Sequence, residues 1–537
     1  MRSQLFFRVA MAGMAALGFA ALPATAPPTV EVSSGTLEGT LFGDSPKDVA
    51  FLGVPYAAPP VGKLRWKPPV PAAKWAGVRK AEAYGPVCPQ QPQSWLTYIE
   101  GQDDCLYLNI RTTQLSRSAR LPVIVNFHGG SNTAGYSQFL PLGPALSRLG
   151  VVVVSANYRL GPFGFMAYPA LTAESRHHSS GNYGLLDQIE ALRWVRENIA
   201  QFGGDPTRVT VMGQSSGAVD ICLLMASPLT EDLFRGAILQ SGECQGTWNE
   251  DIRRPIAYNL IEDTGEAVGE RLASDLGVWS NDRDAAQKLR RAATETIMKA
   301  WKDDARVHFD AIVDGWVVPA QPAQIFAEKK QLRIPILIGS NADEATVFGD
   351  GGVKTVEEYK KYLQRDSGKF WREEFAVYPA ASDAEVAERY LQLQNDSFAY
   401  GAYSMAQAMT RAGQRAYLYD FTFAEKGKRA RLGAHHGIEL YFLSDIYPDG
   451  WEHSSEERRL GELSRGYWTE FAKSGDPNYS GAPEWPAFDS RVEQCLELKR
   501  VVRVRPVESL LHAIQRLMLQ VSVIARLWQE NSGELAW

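Results

Sequence analysis

The chain is poor in cysteine, with five in 537 residues, and none of them stands in a CxxC or Cys/His zinc spacing. A structural metal centre of the usual kind is thereby excluded from the expectations. Beyond the first 26 residues no uninterrupted apolar run reaches the ~18 residues that a membrane-spanning helix needs. Positive charge is not in excess either: Lys and Arg total 56 against 62 Asp and Glu, for a formal charge of −6 and a pI near 5.9. Nucleic acid and anionic membranes call for a basic face, so neither fits as the main partner. The sequence also lacks heptads, a collagen period, long low-complexity tracts and any repeat that would signal a solenoid. What is there is 45% hydrophobic and 11% aromatic residues, enough in a chain of this length to bury a large core.

Residues 1–26 differ in composition from the rest. They carry Arg2 and Arg8, no acidic residue, an apolar run from Val9 to Leu22, and then Ala24-Thr25-Ala26. That is the layout of a secretory signal peptide. Pro27 would follow a cut after Ala26, which leaves cleavage after Ala20 or Ala21 open, and a retained N-terminal anchor is the competing reading. Export to the periplasm or medium is expected, where disulfides persist. The near pair Cys88 and Cys105 could close a short loop and stabilise by roughly 3 kcal/mol in the chain-entropy model. Spacing is equally compatible with Cys222 and Cys244 paired or apart, and the odd count leaves one thiol over.

Patterning along the rest of the chain alternates. Residues 30–56 and 104–112 look like short strands between Gly and Pro turns, followed by apolar β-branched runs at Leu121–Phe127, Val151–Val154, Val209–Met212, Ala237–Leu239 and Ile334–Ile338. Helical periodicity separates them, clearest over Tyr183–Phe202 and Glu266–Leu276. Strands alternating with helices predict a large, mostly parallel central sheet flanked by helices. Asn249–Trp301 and Val353–Tyr403 read as helical additions, Val507–Trp528 as a C-terminal helix, and residues 27–537 as one domain.

One GxSxG is present, Gly213-Gln214-Ser215-Ser216-Gly217, directly after the run Val209-Thr210-Val211 and before a segment that can be helical. In that strand–turn–helix context the motif lifts a serine hydroxyl above a sheet as a nucleophile. A nucleophilic serine needs oxyanion donors, a base and an acid to orient the base. His128-Gly129-Gly130-Ser131 follows the strand ending at Phe127, and such a loop aims backbone N–H groups at developing negative charge, joined by the N–H of Ser216. His177, His178, His453 and His512 lie in surface-like or helical contexts and His308 precedes a strand-like segment, whereas His435 and His436 stand in the loop Gly433–Gly437 downstream of Ser215. Either fits as base. Asp343 and Glu344 both follow a buried strand, where carboxylates point into the ligand crevice, and either fits as acid.

Longer motifs carry a resemblance. Asp103–Asn109, the stretch from Phe202 to Gly217, Asn157–Gly161, Gly181–Gln188, Val313–Gly315 and Gly475–Pro477 together resemble the type-B carboxylesterase and cholinesterase family of α/β-hydrolases, in the right order and over nearly everything after the leader. That resemblance implies an α/β-hydrolase fold and a secreted serine esterase with Ser215 as nucleophile, Glu344 rather than Asp343 as acid, and His436 rather than His435 as base. It further implies oxyanion donors on the amides of Gly130, Ser131 and Ser216, a disulfide between Cys88 and Cys105, and structural ion pairs Arg65–Asp103 and Arg159–Asp187. The implied reaction cleaves a small-molecule carboxylic ester through an acyl-enzyme without metal or organic cofactor.

The chain departs from the family pattern at three positions. Ser131 replaces the third oxyanion glycine, so its Cβ narrows backbone freedom and acyl space. Asn132 replaces an aromatic residue, which predicts a more polar pocket mouth. Gln214 replaces the Glu before the nucleophile, and the lost negative charge argues against cationic, choline-like substrates. Trp95 and Trp248 are candidate gorge residues. The same mechanism would serve amides, lactones, thioesters or carbamates, and a non-catalytic binding protein on this fold is the alternative from a different class.

Overall fold

The computed structural model describes residues 26–507, apart from positions 44, 46, 94–95, 246–263, 304–307, 350, 369–370, 425–426, 449–450 and 452–453. The leader, Trp95, Trp248, His453, His512 and nearly all of the expected C-terminal helix lie outside the described residues.

Fourteen strands are numbered along the chain: β1 (Thr29–Val32), β2 (Gly35–Glu38), β3 (Thr40–Leu41), β4 (Val49–Pro55), β5 (Val78–Lys80), β6 (Tyr107–Thr112), β7 (Leu121–Phe127), β8 (Val152–Ala156), β9 (Gly204–Gln214), β10 (Gly236–Gln240), β11 (Ile336–Asn341), β12 (Ala416–Phe421), β13 (Gln494–Leu498) and β14 (Arg503–Pro506). Strands β1, β2 and β5 make a small separate sheet, and the others make an 11-stranded sheet in the order β14-β13-β12-β11-β10-β9-β7-β8-β6-β4-β3. From β8 through β13 every neighbouring pair in that order is parallel, while β14, β6, β4 and β3 pair antiparallel at the two edges. The five apolar runs read from the sequence all lie in this parallel region, with β11 starting at Ile336 because Pro335 lacks an N–H for the ladder.

Period-two alternation explains why those strands are apolar at almost every position. Val123, Val125 and Phe127 of β7 face one core and Ile124 the other; Val211 and Met212 of β9, and Leu239 and Ile238 of β10, divide in the same way. A sheet buried on both faces needs helices on both sides. The helices Tyr183–Asn198 and Ser216–Ala226 cover the first face, and Ile438–Ser444 and Ser455–Ser474 cover the second. The segment 353–403 is helical as expected, with helices Val356–Asp366, Trp371–Val377 and Asp383–Arg411 around a satellite core of Tyr359, Leu363 and Tyr378.

Cys88–Cys105 and Cys222–Cys244 are both disulfides, with Cα separations of 5.0 and 5.6 Å. The second pair, which spacing left open, ties the helix after the GxSxG turn to the segment following β10. Cys495 is a buried thiol on β13. Arg159 holds Asp187 through two hydrogen bonds of 2.7 Å, both side chains almost wholly buried, and Arg65 pairs with Asp103. Both pairs are largely buried.

Candidate active site

The parallel register brings the loop ends together. Gly213 on β9 lies opposite Phe127 on β7 and Leu239 on β10, so the turn after β9 emerges beside the loop that leaves β7. Ser215 stands in that turn with φ 57° and ψ −131°, immediately before the helix Ser216–Ala226. A non-glycine residue in this region costs on the order of 1–3 kcal/mol and persists only when its surroundings over-determine it. Two close approaches do so here. A Cβ on Gly217 would come 2.3 Å from the Phe127 carbonyl oxygen, and one on Gly129 would come 2.5 Å from the Gln214 carbonyl oxygen and 2.9 Å from Ser215 Cβ. Neither position tolerates a side chain, and the two backbones are pressed against each other at Ser215.

From the other side, β11 ends at Asn341 and turns sharply into Asp343 and Glu344. Glu344 is fully buried; its Oε1 accepts from the Asn341 N–H at 2.7 Å and its Oε2 from His436 Nδ1 at 2.5 Å. Asp343 instead accepts from the Ala434 N–H at 2.7 Å and thereby pins the histidine loop. His435 turns inward, its carbonyl accepting from Asn341 Nδ2 at 3.0 Å. The pairs that residue types alone left open therefore differ in geometry: Glu344 and His436 meet, while Asp343 and His435 hold the backbone. His128 is no competitor as base. Its ring stacks on Tyr158 at 4.4 Å, and burial pushes it down to about 4, so it stays neutral.

With Nδ1 donating to Glu344, His436 Nε2 is left as an acceptor. Among the described residues its partner is the Gln214 carboxamide, Nε2 to Nε2 at 2.9 Å, rather than the hydroxyl of the adjacent Ser215. Catalytic hydrogen bonds are often loose before substrate binds. Phe348 and Phe398 flank the imidazole at ring-centroid distances of 4.9 and 5.3 Å. Behind it, Glu439 is fully buried, accepting from Asn341 Nδ2 at 2.7 Å and Gln240 Nε2 at 3.0 Å; burial and the nearby Glu344 charge push its carboxyl up to about 7. Sequence reasoning missed the contact of Gln214 with His436, the two phenylalanines and the burial of Glu439 behind the imidazole. For Phe348 and Phe398 no sequence signal existed: Phe348 directly follows the short turn Glu344–Val347, and Phe398 comes from the long helix Asp383–Arg411.

The candidate oxyanion loop needs one correction. Ser131 and Asn132 have φ of 53° and 54°, and Ser131 is exposed, but Asn132 does not line a polar mouth. It is fully buried, because its carboxamide donates to Asp220 Oδ1 at 2.9 Å and Asp310 Oδ1 at 2.8 Å. Asp220 in turn accepts from Gln188 Nε2 at 2.6 Å, and burial pushes its carboxyl up to about 7. A cavity of about 620 Å³, walled by Leu64, Leu171, His177 and Trp316 among others, lies apart from all of these residues.

Two expected outcomes follow from these electrostatics. Gln214→Glu would set a carboxylate against Nε2 of an imidazole already faced by Glu344 and Glu439, favouring its protonated form. The acidic limb of the kcat/KM profile for a nitrophenyl ester should then move up by about one to three pH units. An unmoved limb would show that the Gln214 contact with His436 has no bearing on the titrating group. For Asp220, the folded value lies above the unfolded one, so its contribution to stability is full below the ordinary carboxyl value of 3.8 and lost as pH rises through about 7. Asp220→Asn removes that dependence. Its thermal midpoint relative to the wild type should rise between about pH 4 and pH 7 and level off above, and a constant difference would contradict the assignment.

The profile of the carboxylesterase family matches residues 26–510. The chain belongs to the carboxylesterase family. It is 37% identical over 501 residues to the fumonisin B1 esterase of Sphingopyxis macrogoltabida, covering 89% of this chain and 88% of that one. Identity to carboxylesterase 1C of Rattus norvegicus is 32% over 515 residues, covering 87% and 89%. Among solved structures, a PNB esterase superposes with a TM-score of 0.77 at 29% identity, covering 91% of this chain and 99% of that one. The fold is that of an α/β-hydrolase, and this carboxylesterase hydrolyses small-molecule carboxylic esters by a serine mechanism. No helix among its described residues is long and apolar enough to cross a membrane.

Proposed function

We propose that Ser215, His436 and Glu344 are the nucleophile, base and orienting acid of this esterase, and that the amides of Gly130, Ser131 and Ser216 bind the oxyanion. The observation that carries the proposal is the 2.5 Å pair of His436 Nδ1 with buried Glu344, opposite a serine on a strained turn. On substrate binding the Ser215 hydroxyl displaces the Gln214 carboxamide from His436 Nε2. Oγ then attacks the ester carbonyl carbon, its proton passes to Nε2, and the carbonyl oxygen becomes the anion held by the amides. Collapse breaks the carbon–oxygen bond to the alcohol, which leaves with the proton from Nε2. Water repeats the sequence on the acyl-enzyme, releasing the acid and restoring the serine.

The finer reading is a neutral ester as substrate, a single domain over residues 27–537, and export to the periplasm or medium after removal of residues 1–26. Two disulfides and the leader composition support export, and Gln214 in place of a Glu before Ser215 speaks against a cationic ester. Purified mature protein should turn over a short-chain nitrophenyl ester far faster than the matched anilide, and prefer it to a choline ester of the same acyl group. Equal rates on ester and anilide, or a preference for the choline ester, would count against this reading.

A further inference from the structure

We infer that Asn132, held by Asp220 and Asp310, is a positioning residue for the oxyanion hole, tying the loop after β7 to the helix that begins at Ser216. The inference rests on the proposed roles of the Gly130, Ser131 and Ser216 amides. Two consecutive non-glycine residues, Ser131 and Asn132, take the left-handed conformation in this loop. Such a backbone needs outside restraint. Asn132 supplies it with its main chain and its side chain together. Its N–H donates to Ser216 Oγ at 3.2 Å, and its carbonyl accepts from the Gly161 N–H at 2.7 Å. Its carboxamide gives its hydrogens to Asp220 and to Asp310, at 2.9 and 2.8 Å.

Asp220 lies on the helix Ser216–Ala226, one turn beyond the residue whose amide is the third proposed donor. Its second oxygen is held by Gln188 from the helix Tyr183–Asn198, so the anchor belongs to the packed core rather than to the crevice. One buried side chain thus sets the distance between the two donors on the loop and the donor on the helix. Only a carboxamide serves: a carboxylate in its place would face two others, and an aliphatic group would donate to neither. Because the tether fixes amides that act on an oxyanion, its loss should weaken states that carry that charge and spare those that do not.

The test uses Asn132→Ala and, at the exposed end of the tether, Asp310→Ala and Asp310→Asn. kcat and KM would be measured on a nitrophenyl ester, together with the inhibition constant of a trifluoromethyl ketone, which adds to the serine and generates an oxyanion. In Asn132→Ala, kcat should fall about 10²-fold or more and the ketone should weaken by a similar factor, with KM within about threefold. Asp310→Ala, a surface change that the fold should tolerate, should lower both by about three- to tenfold, and Asp310→Asn, which keeps an acceptor for Asn132, should restore them. Unchanged kcat and ketone affinity in Asp310→Ala, or a fall in kcat with ketone affinity intact, would overturn the tether even if Asn132→Ala failed to fold. A ketone that does not inhibit the wild type would instead overturn the serine assignment beneath it.

Discussion

Ser215→Ala is expected to lower kcat on a nitrophenyl ester by about 10⁶-fold, the scale seen when the nucleophile of a serine triad is removed. The hydroxyl makes no structural contribution that alanine lacks: no hydrogen bond joins Ser215 Oγ to His436 among the described residues, and the main-chain bonds of the turn survive the substitution. Alanine meets the same steric cost as serine at φ 57°, so circular dichroism and the thermal midpoint should be unchanged. Turnover within about tenfold of the wild type would remove Ser215 from the reaction.

Glu344→Gln should be the next most damaging change, costing about 10⁴-fold in kcat. The carboxylate accepts two hydrogen bonds at once, from the Asn341 N–H and from His436 Nδ1. A carboxamide can accept only through its oxygen. If that oxygen serves Asn341, the NH₂ group faces Nδ1, the imidazole proton moves to Nε2, and the base can no longer take a proton from Ser215. Glu344 is wholly buried, so no water relieves the mismatch. Glu344→Asp, which keeps the charge on a shorter arm, should retain more activity than Glu344→Gln. The opposite order would mean that charge and tautomer are not what Glu344 supplies.

Much of this arrangement could be read before any coordinates. Buried parallel strands announce themselves as unbroken β-branched runs, and Val209–Val211 ahead of Gly213–Gly217 is enough to place a turn at the crevice end of a sheet. Strand β12 was harder. Ala416-Tyr417-Leu418-Tyr419-Asp420-Phe421 mixes aromatics with an acid, and its identity comes from pairing with β11 and β13 far away in the chain. Choosing Glu344 over Asp343, or His436 over His435, depends on which side of a turn faces the crevice; neighbouring residues of identical chemistry carry no such signal, and only the resemblance to a family separated them. Asn132 was misread for a related reason. A polar residue beside a pocket is expected at the mouth, but its two acceptors, Asp220 and Asp310, lie 88 and 178 residues away and cannot be inferred from local pattern. The disulfide Cys222–Cys244 was equally illegible, since a separation of 22 residues says nothing about where the two side chains point.

Covalent labelling tests the central claim most directly. Purified protein would be treated with a radiolabelled organophosphate, digested, and its peptides mapped by mass spectrometry while residual esterase activity is followed. The expected result is a single adduct on the peptide carrying Gly213–Gly217, located on Ser215, growing in proportion to lost activity and forming far more slowly in His436→Ala. An adduct on any other residue, or full inactivation with Ser215 unmodified, would contradict the account.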